Sequence, residues 1–190
     1  TVLREVLDFD DAIKVAYDFY MQHPDETLIV VTADHETGGM ALGNSDYTLN
    51  LKVLAEQKCS SDLLSDQLSA LQKEAGKHLT WEQVKEVISK NTGLYTVVEI
   101  SKEEDQLLQA AFGQMMQHQG VEKSLYKDIN ALASKALALL NQKSRLGWTS
   151  KGHTASAVPV FAIGVGAERF TGWHDNSEIA PLIYEATQSY

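Results

Sequence analysis

The residue types best suited to chemistry stand together in TADHETGG, residues 32–39, directly after an apolar run. Asp34 offers a hard oxygen ligand and His35 an imidazole nitrogen, a combination that suits zinc. Neighbouring side chains of a strand point to opposite faces, so both reach one metal only if the chain turns here. Gly38 and Gly39 permit such a turn. Taken alone, an Asp-His pair at a strand end is more often a turn or a hydrogen-bonded pair, and both interpretations stay open.

A second candidate is His153, in the segment GWTSKGHT at residues 147–154. A histidine beside a glycine, in a loop that leads into a strand, can supply a single metal ligand. A solvent-facing loop histidine is the commoner reason for such a pattern. No carboxylate or cysteine close in sequence completes a metal site around it.

The other candidates indicate structural or surface roles. Cys59 has no partner pattern for nucleophilic work, so we expect it to be buried or incidental. Gly164-x-Gly166 lacks the third glycine of a dinucleotide fingerprint, because Arg169 stands in that position. Four further histidines sit at helix ends or on polar helix faces, with a helix cap expected at Asp175 or Asn176 beside the last of them. They are His23, His78, His118 and His174.

Two apolar runs must position the candidate residues. Residues 27–33 (TLIVVTA) are short and rich in β-branched side chains, as in a strand buried on both faces of a sheet. Residues 158–165 (VPVFAIGV) predict a later strand, in which Pro159 is restricted to an early or edge position. Helical spacing of apolar residues predicts helices over residues 9–22 and 175–188.

The middle of the chain has a different character. Apolar spacing and two capping boxes, Thr80 with Gln83 and Ser101 with Glu104, predict several helices. The last of these helices is expected to carry Leu125, Ile129, Leu132, Ala133, Ala136, Leu137 and Leu140. Short strands are expected at residues 40–42 and 94–100.

The order helix, strand, helical block, strand, helix predicts an α/β fold whose sheet is interrupted by a mostly helical insertion. We place the insertion at residues 46–147, between core flanks at residues 1–45 and 148–190.

Composition narrows the class of protein. The chain has 190 residues, 44% of them hydrophobic, and a net charge of −10. Residues 46–147 hold 12 basic and 13 acidic side chains, whereas the flanks hold 4 and 13. Such a balance argues against binding to nucleic acid or to an anionic membrane surface. The longest apolar stretch, residues 158–167, is far shorter than the roughly 20 residues that span a bilayer.

Several segments together resemble one family. They are residues 9–19, VVTADHETGG at 30–39, GWTSKGHT at 147–154, FAIGVGAERFTG at 161–172 and the pair Asp175-Asn176. In this order they resemble the C-terminal part of bacterial alkaline phosphatases. The resemblance implies an alkaline-phosphatase-like sheet flanked by helices. It is loose over residues 46–147, to which we assign no chemistry.

The resemblance also implies a function. Enzymes of this family hydrolyse phosphate monoesters through a phosphoserine, at a site with two zinc ions and a magnesium ion. Asp34 and His35 would bind the zinc that activates the serine, and His153 would bind the other zinc. Bound metals would reverse the local field, so that acidic flanks can serve an anionic substrate.

The resemblance sets limits as well. The serine, the magnesium ligands and the remaining zinc ligands of the family precede the position of Thr1. We therefore expect this chain to be a C-terminal fragment that is inactive alone. No signal peptide is present in these residues, and one cysteine leaves the redox compartment open. The family points to a periplasmic or extracellular protein and is compatible with a homodimer.

Two other functions stay open. The first is a related two-metal hydrolase, such as a phosphodiesterase or a sulfatase, although the Glu36-Thr37-Gly38-Gly39 continuation favours a phosphomonoesterase. The second is a non-catalytic helical interaction module, in which the apolar stripes of the insertion would contact a partner.

Overall fold

The computed structural model describes residues 2–44, 47–123, 127–150 and 152–188. The helices are α1 (Val2–Tyr20), α2 (Leu51–Leu54), α3 (Ser61–Ala75), α4 (Trp81–Thr92), α5 (Lys102–Met116), α6 (Ala131–Ser144) and α7 (Asn176–Thr187). The strands are β1 (Leu28–Val31), β2 (Met40–Leu42), β3 (Val121–Glu122), β4 (Ile129–Asn130), β5 (Leu146–Trp148) and β6 (Phe161–Gly164). Short 3-10 helices span Gly76–His78 and Ala167–Phe170. The fold class is α/β, as predicted.

The chain forms two compact units. The site-bearing unit comprises Val2–Gly39 and Thr149–Tyr190 and contains Asp34, His35 and His153. The helical unit comprises Met40–Trp148. The expected insertion, residues 46–147, lies within the bounds of the helical unit.

The site-bearing unit is built on one antiparallel strand pair. β1 pairs with β6 from Leu28↔Gly164 to Val31↔Phe161. The expectation of a strand buried on both faces is wrong for β1, because all four of its residues are only half-buried. Among the described residues β6 is its one paired neighbour, and a two-stranded ribbon leaves part of each face open. Pro159 precedes β6 rather than interrupting it, as its missing N–H requires.

Helix α1 begins at Val2, seven residues before the position that its apolar stripe suggested. None of its described residues is buried, and Phe9 and Phe19 are each more than half exposed. Helix α7 begins after Asp175, whose carboxylate accepts from the Ser177 N–H as the N-cap. That cap was predicted.

The helical unit contains most of the buried apolar side chains. The largest fully buried ones come from α3, α4, α5 and α6 and from the segment after α4: Leu64, Leu68, Val84, Ile88, Leu94, Leu108, Leu132 and Leu140. Cys59 is buried in the same cluster, as expected. Both predicted capping boxes are present, at Thr80 and at Ser101. β2 pairs antiparallel with β5 in this unit, which confirms the predicted strand at residues 40–42.

Two expectations for the helical unit are wrong. Residues 94–100 form no strand; after the left-handed Gly93 the chain closes a tight turn, with the Val98 N–H donating to the Gly93 carbonyl at 2.9 Å. The last helix begins at Ala131, because the Asn130 side chain caps it by accepting from the Leu132 N–H. Ile129 belongs to β4 instead. Leu125 lies outside the described residues.

No helix in the described part of the chain is both long and apolar enough to cross a membrane.

Candidate metal centre

The first loop, residues 32–39, turns sharply where β1 ends. The Asp34 carboxylate accepts a hydrogen bond from the His35 N–H at 2.9 Å, which fixes this side chain against the backbone of the next residue. Gly38 and Gly39 both have left-handed backbone conformations, with φ of 64° and 60°. The turn that the two glycines predicted is therefore present.

The second loop, residues 149–156, crosses the first at these glycines. The N–H groups of Thr149 and Ser150 donate to the Gly38 carbonyl at 2.8 and 3.1 Å. The Thr149 hydroxyl donates to the Gly39 carbonyl at 3.1 Å. A Cβ atom on Gly39 would lie 2.6 Å from that hydroxyl oxygen, so only glycine permits this approach.

The three residues that the sequence singled out lie together in this unit. The rings of His35 and His153 stack with their centroids 3.4 Å apart and their planes inclined by 23°. The Asp34 Oδ2 atom lies 3.4 Å from the His35 Nε2 atom. His35 thus contacts both of the other candidates, although His153 is 118 residues further along the chain.

The His35 ring has a defined orientation. Its Nδ1 atom lies 2.9 Å from the Glu36 carbonyl oxygen, within hydrogen-bond distance. A proton on Nδ1 would be donated to that carbonyl and would leave the Nε2 lone pair for a metal, an arrangement common among metal-binding histidines. The Asp34 side chain is 84% exposed and that of His35 is 36% exposed. The potential ligand atoms are therefore open to a metal ion.

Sequence reasoning gave no role to Glu36 or Thr154, which the structure places in contact. The Thr154 hydroxyl donates to one oxygen of the Glu36 carboxylate, and the Gly39 N–H donates to the other at 2.5 Å. The Thr154 hydroxyl, followed by the Gly39 N–H, holds the pKa of this carboxyl below its ordinary value. One signal was available, because each residue directly follows a candidate histidine.

The donor set fits zinc chemically but does not complete a site. One carboxylate oxygen and two imidazole nitrogens are ligands that zinc takes in proteins. Within the described ranges, no group of three or more histidine, cysteine or acidic side chains is arranged to hold a metal ion. A catalytic zinc takes three protein ligands. Asp34, His35 and His153 are not themselves arranged around one ion, so each zinc would need further ligands.

Comparison with known proteins decides the family. The sequence profile of the family described as alkaline phosphatase matches residues 1–189. The chain belongs to the alkaline phosphatase family. Because the match covers nearly the whole chain, it includes both loops and also residues 46–147, where the resemblance of short segments was loose.

Individual relatives agree with the family profile. The chain is 30% identical over 184 residues to alkaline phosphatase 4 of Bacillus subtilis, covering 96% of this chain and 34% of the relative. It is 29% identical to alkaline phosphatase 3 of the same organism, covering 98% of this chain and 35% of the relative. The chain thus spans about one third of the length of these relatives.

A solved structure extends the likeness to three dimensions. The cold-active alkaline phosphatase of a psychrophilic Shewanella species matches with a TM-score of 0.65 and 30% identity. The match covers 95% of this chain and 39% of that structure. The described fold is consistent with a C-terminal portion of a phosphatase of this family.

Proposed function

We propose that this chain is the C-terminal portion of an alkaline phosphatase that hydrolyses phosphate monoesters through a phosphoserine. The observation that carries the proposal is the meeting of Asp34, His35 and His153 in one place, from two loops distant in sequence. Family membership supplies the reaction class, and the donor set suits the metal that such a reaction uses.

Asp34 and His35 would hold one zinc ion, and His153 would hold the second. When bound, the two ions supply positive charge and Lewis acidity that offset the negative charge of a phosphoryl group. The chain's own contribution is orientation: the Glu36 carbonyl fixes the His35 ring, and the His35 N–H holds the Asp34 carboxylate beside that ring. Magnesium, the third ion of the proposal, would be held by residues outside this chain.

The nucleophilic serine would also come from outside this chain. We therefore expect the 190-residue chain alone to show no turnover of p-nitrophenyl phosphate at alkaline pH with zinc and magnesium. The intact protein should hydrolyse the same ester. Turnover by the chain alone that disappears in Asp34→Ala would contradict the division of the site.

Variants of the intact protein test the ligand roles. Asp34→Ala and His153→Ala should each lower kcat/KM by more than about 100-fold, since each removes a ligand of a metal that stabilises the transition state. His78→Ala is the matched control, because it removes an exposed imidazole from the helical unit. Equal loss in all three variants would point to misfolding rather than to ligation.

The choice among related hydrolases is tested with substrates. The proposal expects the intact protein to prefer p-nitrophenyl phosphate over bis-p-nitrophenyl phosphate and p-nitrophenyl sulfate. A preference for the diester or the sulfate ester would replace the phosphomonoesterase with one of the related two-metal enzymes.

Location and assembly complete the proposal. By family resemblance the intact protein would be exported, periplasmic or extracellular, and would form a homodimer. Cell fractionation with N-terminal sequencing tests export, and light scattering at two concentrations tests the dimer. A cytoplasmic protein would contradict the first expectation, and a monomer at both concentrations would contradict the second.

A further inference from the structure

The stacked rings of His35 and His153 need support from elsewhere in the chain. The two residues are far apart in sequence and lie in loops, and His153 is exposed. Holding an exposed ring against a half-buried one costs side-chain and backbone entropy that local structure does not offset. A contact that joins the two loops close to the rings is therefore required if they are to keep one arrangement.

The described residues of the two loops meet at two places, which lie at different distances along the chain from the rings. The hydrogen bonds of Thr149 and Ser150 to Gly38 lie three or more residues from either histidine. The hydrogen bond from Thr154 to Glu36 lies one residue from each. Every intervening residue adds two soft backbone dihedrals. The second contact therefore restricts the histidines more directly than the first.

The geometry at Glu36 suits this task. One Glu36 carboxylate oxygen accepts from the Gly39 N–H, so the side chain is fixed to the loop that carries it. The other oxygen accepts from the Thr154 hydroxyl of the second loop. Rotation about χ1 of threonine is restricted, so its hydroxyl keeps a nearly fixed position relative to its backbone. Hydrogen bonds to a carboxylate are also stronger than those between neutral groups.

We propose that Glu36 and Thr154 are positioning residues that hold His35 and His153 together for metal binding. We name this hydrogen-bonded pair the Glu36–Thr154 clasp. Neither residue is a ligand in this account; each acts through the histidine that precedes it. The metal-binding part rests on the proposed function, whereas the arrangement of the two rings does not.

The experiment uses the intact protein in its metal-free form, with isotope labels at its histidines only. Ring contact is read as a nuclear Overhauser effect between the His35 and His153 side chains. The wild type should show it. Thr154→Val, which removes the hydroxyl at nearly constant shape, should lose it, and so should Glu36→Ala. Thr154→Ser keeps a hydroxyl and should therefore show the same ring contact as the wild type.

Two controls separate positioning from folding. Thr37→Val makes the same chemical change at the neighbouring exposed threonine of the first loop and should keep the ring contact. The signals of His78 and His118, which lie in the helical unit, should stay unshifted in every variant. Shifts in those signals would identify a variant that has lost its fold, and Thr154→Ser then carries the test.

Zinc affinity of the intact protein provides the second readout. Loss of a group that orients a ligand typically weakens metal binding by about 10- to 100-fold, and we expect this for Thr154→Val and Glu36→Ala. Ring contact that survives in both variants would overturn the proposal, as would its absence from the wild type. Zinc binding that is measurable in the wild type and unchanged in both variants would also overturn it. Loss of ring contact in a protein that binds no zinc would support the clasp and contradict the proposed function.

Discussion

The two units of this chain differ in what holds them together. The helical unit buries large aliphatic side chains from four helices and the segment after α4 in one cluster, and eight of them are at most 1% exposed. In the site-bearing unit, helix α1 buries none of its described residues and β1 is half-buried along its length. Its two loops are joined by hydrogen bonds instead.

The difference shows that the large buried core and the candidate ligands lie in different parts of the sequence. A close-packed core tolerates little change in volume, so the helical unit should respond strongly to truncated side chains. The loops of the site-bearing unit depend on backbone conformation and on a few polar contacts. Substitutions there should alter the site while leaving the packing of the helical cluster unchanged.

The largest effect is expected from a core truncation in α3. Leu64→Ala should lower the free energy of unfolding by about 2–5 kcal/mol, because Leu64 is fully buried and its loss leaves a cavity. Leu63→Ala is the matched control: the preceding residue is 48% exposed and should cost less than about 1 kcal/mol. Urea unfolding measures both. Equal costs would remove the distinction between buried and exposed faces of α3.

A smaller effect is expected where the two loops cross. Gly39→Ala should cost about 1–2 kcal/mol, because Gly39 is left-handed and a Cβ atom would displace Thr149. Hydrogen exchange should accelerate at the Thr149 and Ser150 amides. Gly113→Ala is the control in the helical unit; it lies inside α5 with open space around it and should stabilise by about 0.5–1 kcal/mol. Unchanged exchange at Thr149 would contradict the account of the crossing.

The smallest effect concerns pH and the helical unit. Burial by itself raises the pKa of the Glu104 carboxyl. The Lys143 side chain, 2.7 Å away, and the Ser101 N–H together lower this pKa by more than burial raises it, so it lies below its ordinary value of 4.5. A lowered folded-state pKa means that the unfolded chain binds more protons in this range. The contribution to stability is thus complete above the ordinary pKa and is lost as pH falls through the folded-state pKa.

Glu104→Gln should remove this dependence at a cost of less than about 1 kcal/mol at neutral pH, since the ion pair is partly buried at the surface. Glutamine still completes the capping box with Ser101, so the start of α5 is kept. Unfolding in urea at several pH values between 3 and 7 measures the effect. Glu86→Gln, on the exposed surface of α4, is the control. A variant with the pH dependence of the wild type would contradict the role of the ion pair.

Much of the fold could be predicted because its signals are local. The capping boxes at Thr80 and Ser101 and the cap at Asp175 each depend on residues within one helical turn, and all three are present. The prediction of a strand at residues 94–100 was wrong. Their β-branched side chains match a strand, but the left-handed Gly93 closes a turn and no strand pairs with them in the described structure.

The candidate site shows the same difference between what local sequence predicts and what it does not. Asp34, His35 and the glycine turn could be predicted from one short segment, because the potential ligands and the turn-forming glycines lie within a few residues of each other. The contact of His35 with His153 depends on pairing between residues more than 100 positions apart, so no local pattern contains it. Glu36 and Thr154 were missed for the same reason, since each acquires its role only when the loops meet.

The most direct test of the central claim is the zinc content of the purified intact protein and its variants, measured by mass spectrometry of the metal. The wild type should retain two zinc ions per chain. His153→Ala should lose zinc, Asp34→Ala should lose zinc as well, and His78→Ala should match the wild type. Full zinc content in both His153→Ala and Asp34→Ala would contradict the assignment of these residues as ligands.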